Sequence, residues 1–217
     1  MQIAIDGPSG AGKSTIAKEL SKRLGYEYLD TGAMYRALAL EFDKKNFIDY
    51  EDEDKIRDIL SNIQIDVIDG RILINNKDIS NSLRDEKIGM LASKISSFSL
   101  IREFLVDKQR EIATDKDIIM DGRDVGTVIL KDADCKIFLT AVLEKRAERR
   151  VEQLKEKGEN PKYETVLKSI EKRDFDDCNR IHSPLKKADD AVIVDCTNLT
   201  IDETIEKILD ILSNCGG

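Results

Sequence analysis

The chain has 217 residues, 41% of them hydrophobic, enough for one well-buried core with inserted flaps, so a single domain over residues 1–217 is expected. Its 35 basic and 43 acidic side chains leave a formal net charge of −8, which argues against general attraction to nucleic acid or anionic membrane. Phosphates must then be bound locally; no basic leader precedes an apolar stretch and no run approaches the roughly 18 apolar residues of a membrane span, so a cytoplasmic protein is expected, and without a strong coiled-coil pattern a monomer.

Ile3-Ala4-Ile5 is a short apolar run stopped by Gly7-Pro8, and Ile16, Ala17, Leu20 and Leu24 then recur at helical spacing before Gly25. The opening therefore reads strand, turn, helix. The turn, Gly7-Pro8-Ser9-Gly10-Ala11-Gly12-Lys13-Ser14 followed by Thr15, matches G-x-x-x-x-G-K-[ST] in the context the motif requires. Its glycines let backbone N–H groups curl around a β-phosphate. The helix adds its positive dipole end, Lys13 reaches the β and γ oxygens, and the Ser14 hydroxyl ligates Mg²⁺. An ordinary glycine-rich turn is the plain alternative.

Residues 63–68 and 71–74 alternate apolar and polar around Asp69-Gly70, which predicts a two-residue hairpin within a small antiparallel insert at about 60–96. Apolar runs at 117–120, 136–139 and 191–194 are each followed by polar or helical sequence, the rhythm of parallel strands with crossover helices. That is a doubly wound sheet in a three-layer α/β/α arrangement. The first of these runs ends at Asp121, a carboxylate suited to holding a magnesium-bound water beside the phosphate loop, or simply to capping a turn. A guanine-reading Asn-Lys-x-Asp is missing; the nearest string, Asn75-Asn76-Lys77-Asp78, falls in the hairpin region and argues against a GTPase.

After Leu143, the residues Arg146, Arg149, Arg150 and Gln153 recur at i, i+3, i+4 and i+7, opposite the apolar stripe Leu143, Ala147, Val151 and Leu154. This face runs into a charged stretch, 152–162, broken by Gly158 and Pro161. Together they predict a mobile helical lid at about 147–162, unless the arginines are only a solvated basic face. Arg173, Asp177 and Arg180 share a face farther on, either as a phosphate-binding set or as an intrahelical ion-pair ladder. His182 is given no role. Cys135, Cys178, Cys196 and Cys215 lie far apart with no C-x-x-C pair, so free thiols are expected and a zinc site is not.

The phosphate loop, Leu29-Asp30-Thr31-Gly32-Ala33-Met34-Tyr35-Arg36, Asp121-Gly122-Arg123-Asp124-Val125-Gly126-Thr127, and Arg173-Asp174 through Asn179-Arg180 together resemble the successive signature segments of bacterial cytidylate kinases. The resemblance implies transfer of the γ-phosphoryl group of ATP to CMP or dCMP, with Mg²⁺. It places Thr31 and Arg36 against the acceptor, and Ser93, Arg102 and Asp124 against cytosine. Arg123, Arg173 and Arg180 fall on the acceptor or transferred phosphate, and Asp177 on the sugar. Lys13, Arg123, Arg149, Arg150 and Arg173 would hold the charge in flight. Family members often carry Ser where this chain has Thr31, and the hairpin insert is itself a family feature. The alternatives are another small-molecule kinase, for UMP or shikimate, and a nucleotide-binding module without transfer.

Overall fold

The computed structural model describes residues 1–47, 52–68 and 70–215. Strand β1 (Gln2–Asp6) leads through the phosphate loop into α1 (Lys13–Leu24), then β2 (Glu27–Asp30) and α2 (Thr31–Lys44). Helix α3 (Glu53–Ser61) precedes the short strands β3 (Ile65–Ile68), β4 (Arg71–Ile74) and β5 (Lys77–Asp78), then α4 (Glu86–Ile95) and α5 (Ser99–Ala113). The chain returns through β6 (Ile118–Gly122), one π-type turn (Val125–Ile129) and β7 (Cys135–Thr140). Helices α6 (Leu143–Glu156) and α7 (Tyr163–Asn179), strand β8 (Val192–Asp195) and helix α8 (Ile201–Cys215) complete it.

Five parallel strands lie in the order β2-β6-β1-β7-β8, with helices on both faces. Ile3, Ala4 and Ile5 are fully buried, as a central strand covered on both sides demands. On one side the core is built around Met34, Leu38, Phe42, Ile101 and Leu105; on the other it joins Ile16 and Leu20 to Ile205 and Ile208. The register pairs Asp6 with Gly122 and Asp30 with Asp121, so the carboxyl ends of β1, β2 and β6 open on a common edge. Ligands of open α/β sheets bind at such an edge, outside the strand ends where connections diverge.

The insert is a three-stranded antiparallel sheet, β3-β4-β5, one strand more than the hairpin signal predicts. Gly70 adopts φ +71°, while Asp69, the first residue of the expected turn, lies outside the described residues. Helices α6 and α7 pack through Ala147, Leu154, Val166 and Ile170, a small core separate from the other two. Residues 157–162 connect them.

One sequence expectation is overturned. Cys135 and Cys215 are joined as a disulfide across 80 residues, leaving Cys178 and Cys196 as the free thiols. The sheet brings the start of β7 against the end of α8, a proximity that linear spacing does not reveal. Among the described residues, no helix is long and apolar enough to cross a membrane.

Candidate active site

The phosphate loop is shaped by backbone that only glycine tolerates. A Cβ on Gly7, at φ +151°, would stand 2.0 Å from the Leu139 carbonyl oxygen, and Gly12 enters α1 at φ 94°. Within the loop, Lys13 Nζ donates to the Pro8 carbonyl at 2.9 Å. Burial lowers the Lys13 pKa, and the Arg123 charge lowers it further.

Asp121, next to last in β6, has both carboxylate oxygens occupied: Oδ2 accepts from the Ser14 hydroxyl at 2.9 Å and Oδ1 from the Tyr28 hydroxyl at 2.6 Å. Burial raises its pKa, and the Asp30 charge adds to the shift. Thr31 donates its hydroxyl to the Asp121 carbonyl at 2.8 Å. Asp30 caps α2 by accepting from Ala33 N–H at 2.9 Å through Oδ1 and holds Arg36 at 2.7 Å through Oδ2. The Asp30 side chain thus caps α2, and Thr31 faces β6.

Two charged groups follow β6. Arg123 donates from Nε to Asp177 Oδ2 at 2.7 Å. Asp124 accepts from Arg102, whose other amino nitrogen donates to the Ser96 carbonyl at 3.1 Å, while Arg180 stands 3.5 Å away. The Arg102 guanidinium also lies 5.6 Å over the Tyr35 ring. Burial works against the Asp177 carboxylate, yet Arg123, with Arg180 and Arg173 behind it, outweighs burial and holds its pKa below the usual range. Among the described residues Arg173 Nε has no hydrogen-bond partner, and burial together with Arg123 depresses the Arg173 pKa.

Asp174, between these residues on α7, accepts Ser9 N–H at 2.8 Å and an Arg146 N–H. Arg146 in turn donates to the Ser9 carbonyl at 2.8 Å and to the Ala141 carbonyl at 2.9 Å. The two side chains therefore hold both polar groups of the Ser9 backbone and tie α6 and α7 to the phosphate loop. Sequence spacing put Arg146 on the basic face of α6, opposite its apolar stripe, but it is a buried brace.

A cleft of about 300 Å³ gathers the site. Gly10, Gly12, Lys13, Ser14 and Thr15 line it together with Thr31, Arg36, Ser93, Arg102, Asp121, Arg123, Asp124, Arg173, Asp177 and Arg180. Tyr35 and Gln153 also line it; neither stood among the candidate site residues. Gly7, Pro8, Ser9 and Ala11 form the loop from behind without lining the cleft. Arg149 is turned to the Cys196 carbonyl at 2.6 Å, and Arg150 opposes the Arg173 charge from outside the lining.

A parallel sheet with a phosphate loop after β1, opening on a cleft rich in guanidinium groups, defines a P-loop phosphotransferase. The fold is similar to that of an uncharacterised protein from Eubacterium ventriosum, with a TM-score of 0.55, 14% identity and 98% of each chain covered. It is also similar to that of a shikimate kinase from Bacteroides thetaiotaomicron, with a TM-score of 0.50, 10% identity and 98% of each chain covered. Residues 3–214 match the cytidylate kinase family model. The chain is 48% identical over 210 residues to a curated cytidylate kinase of Caldanaerobacter subterraneus, covering 97% of this chain and 93% of that one. It is 45% identical over 211 residues to that of Thermotoga neapolitana, covering 97% and 96%. The chain belongs to the cytidylate kinase family.

Proposed function

We propose that the protein transfers the γ-phosphoryl group of ATP to CMP or dCMP by direct in-line displacement, with no covalent enzyme intermediate. The observation that carries this reading is the buried Arg102–Asp124 pair in the same cleft as Lys13 and Ser14. It puts a donor and an acceptor side by side where a second base can dock. Cytosine presents an amino donor beside ring acceptors. Asp124 accepts from that amino group while Arg102 and Ser93 address the rest of the base edge. Uracil would turn a carbonyl toward the carboxylate and leave buried polar groups unpaired.

Residues Gly7 to Thr15 hold ATP, with Lys13 exchanging the Pro8 carbonyl for β and γ phosphate oxygens. Arg36, Arg123, Arg173 and Arg180 hold the acceptor phosphate and the group in transfer, beside Thr31, and Asp177 takes the sugar. The Ser14 hydroxyl and Asp121 carboxylate, 2.9 Å apart, are hard oxygen donors and fit Mg²⁺, Asp121 acting through water. Held there by Ser14 and, through water, by Asp121, magnesium would supply positive charge that offsets the charge on the transferred phosphoryl group. Arg149 and Arg150 add their charge when the α6–α7 lid, about 147–162, closes and excludes water.

The test is ADP release in a coupled assay with CMP, dCMP, UMP, AMP and shikimate as acceptors. Turnover should be confined to CMP and dCMP. Comparable rates with UMP would sink the cytosine reading, and ADP release independent of any acceptor would remove the transferase reading.

A further inference from the structure

Asp6 is a buried carboxylate, 4% exposed, that none of the steps above uses. It is the last residue of β1, directly before Gly7. Its Oδ1 accepts from Val125 N–H and its Oδ2 from Gly126 N–H, each at 2.8 Å. Those two amides open the turn that follows Arg123-Asp124. The strand register sets Asp6 opposite Gly122, so the carboxylate reaches past Arg123 and Asp124 to grip the backbone just beyond them.

Both ends of this link are fixed. On the β1 side, a Cβ added to Gly7 would stand 2.0 Å from the Leu139 carbonyl oxygen, so the strand end is packed closely against β7. On the other side, Val128 N–H donates to the Asp124 carbonyl at 2.9 Å and Leu130 N–H to the Val125 carbonyl at 2.7 Å, closing the turn on itself. Gly126 lets the turn approach: a Cβ there would stand 3.1 Å from Lys136 Cδ and 3.4 Å from Asp6 Oδ2. Burial pushes the Asp6 carboxyl up to about 6 against its two N–H bonds, with the Asp124 charge adding to the shift and Lys13 opposing it.

We propose that Asp6 is a positioning residue that locks the Arg123–Asp124 turn to the strand carrying the phosphate loop, fixing where the acceptor sits relative to the donor. It acts through backbone, so it holds Asp124 and Arg123 in register without touching substrate. Two unpaired buried N–H groups are the consequence of removing it. The proposal rests on the reading of Asp124 as an acceptor contact, and its test separates the two.

Initial-rate kinetics on Asp6→Asn, Asp124→Ala and the double variant decide it. Asp6→Asn keeps the shape but sets an amide N–H against a backbone N–H. It should raise the KM for CMP about tenfold, one lost buried hydrogen bond, and leave that for ATP within about twofold. Added to Asp124→Ala, it should raise the KM for CMP no more than about twofold further, because both changes disable one unit. Equal changes in the two KM values, or fully multiplying effects, would reduce Asp6 to a merely structural residue and overturn the proposal. An unchanged KM for CMP in Asp124→Ala, with the Asp6→Asn split intact, would discard the Asp124 reading and leave the Asp6 lock standing. Should Asp6→Asn not fold, Gly126→Ala decides in its place. It displaces the same turn, and the proposal stands or falls on the same selective rise in the KM for CMP.

Discussion

Arg102 and Asp124 face each other in an ion pair whose side chains are only 4% and 6% exposed. Arg102 is held in turn by the Ser96 carbonyl and Asp124 is approached by Arg180, so the pair is oriented before any ligand arrives. Removing one partner leaves a buried charge poorly compensated. Arg102→Met is expected to destabilise the protein by about 3 kcal/mol in urea unfolding and to raise the KM for CMP by at least about tenfold. Wild-type stability together with wild-type affinity for CMP would contradict the pair's role.

The Arg146–Asp174 brace predicts the opposite selectivity. Asp174→Ala releases the Ser9 N–H and leaves Arg146 without its carboxylate, loosening the phosphate loop. The KM for ATP should rise about tenfold and that for CMP stay within about twofold. A rise confined to CMP would show that Asp174 belongs to the acceptor side.

Asp177 gives a pH signature. Its folded pKa lies below the unfolded value, so its contribution to stability is present above the unfolded carboxylate pKa and lost as pH falls through the folded one. Asp177→Asn should therefore cost about 3–5 kcal/mol at pH 7, since Arg123 loses a buried partner, and the deficit should shrink below about pH 4. Urea titrations across that range measure it. A deficit constant with pH would mean that the Arg123–Asp177 pair does not set the Asp177 pKa.

Much of this site is legible in the sequence because its chemistry is local. The phosphate loop is one contiguous string between a strand and a helix. The arginines of α6 and α7 fall at helical spacing, and the insert shows its alternation around Asp69-Gly70. Less legible is whatever depends on residues distant in sequence. Strand β2, Glu27–Asp30, is too short and too charged to announce itself, and it exists because it pairs with β6. Spacing showed Arg146 on a basic face but could not show that Ser9 and Asp174 close around it. Asp6 reads as the end of an apolar strand, and its partners lie 119 and 120 residues away.

The Cys135–Cys215 disulfide is invisible to spacing for the same reason. Closing a loop of 80 residues constrains the unfolded chain, so Cys215→Ser should cost about 2–4 kcal/mol under oxidising conditions. Under reducing conditions it should be close to neutral. Thermal unfolding of both proteins with and without dithiothreitol checks this, and an equal difference in both buffers would point to packing in place of the bond.

Asp124, which we propose reads the acceptor base, lines the same cleft as the phosphate loop. The most direct test of that reading is the pair of KM values for Asp124→Ala. The KM for CMP should rise at least about tenfold while that for ATP stays within about twofold, the loss of one charged hydrogen bond on one substrate. An equal rise for both substrates, or none for CMP, would move Asp124 out of the acceptor site and contradict the account.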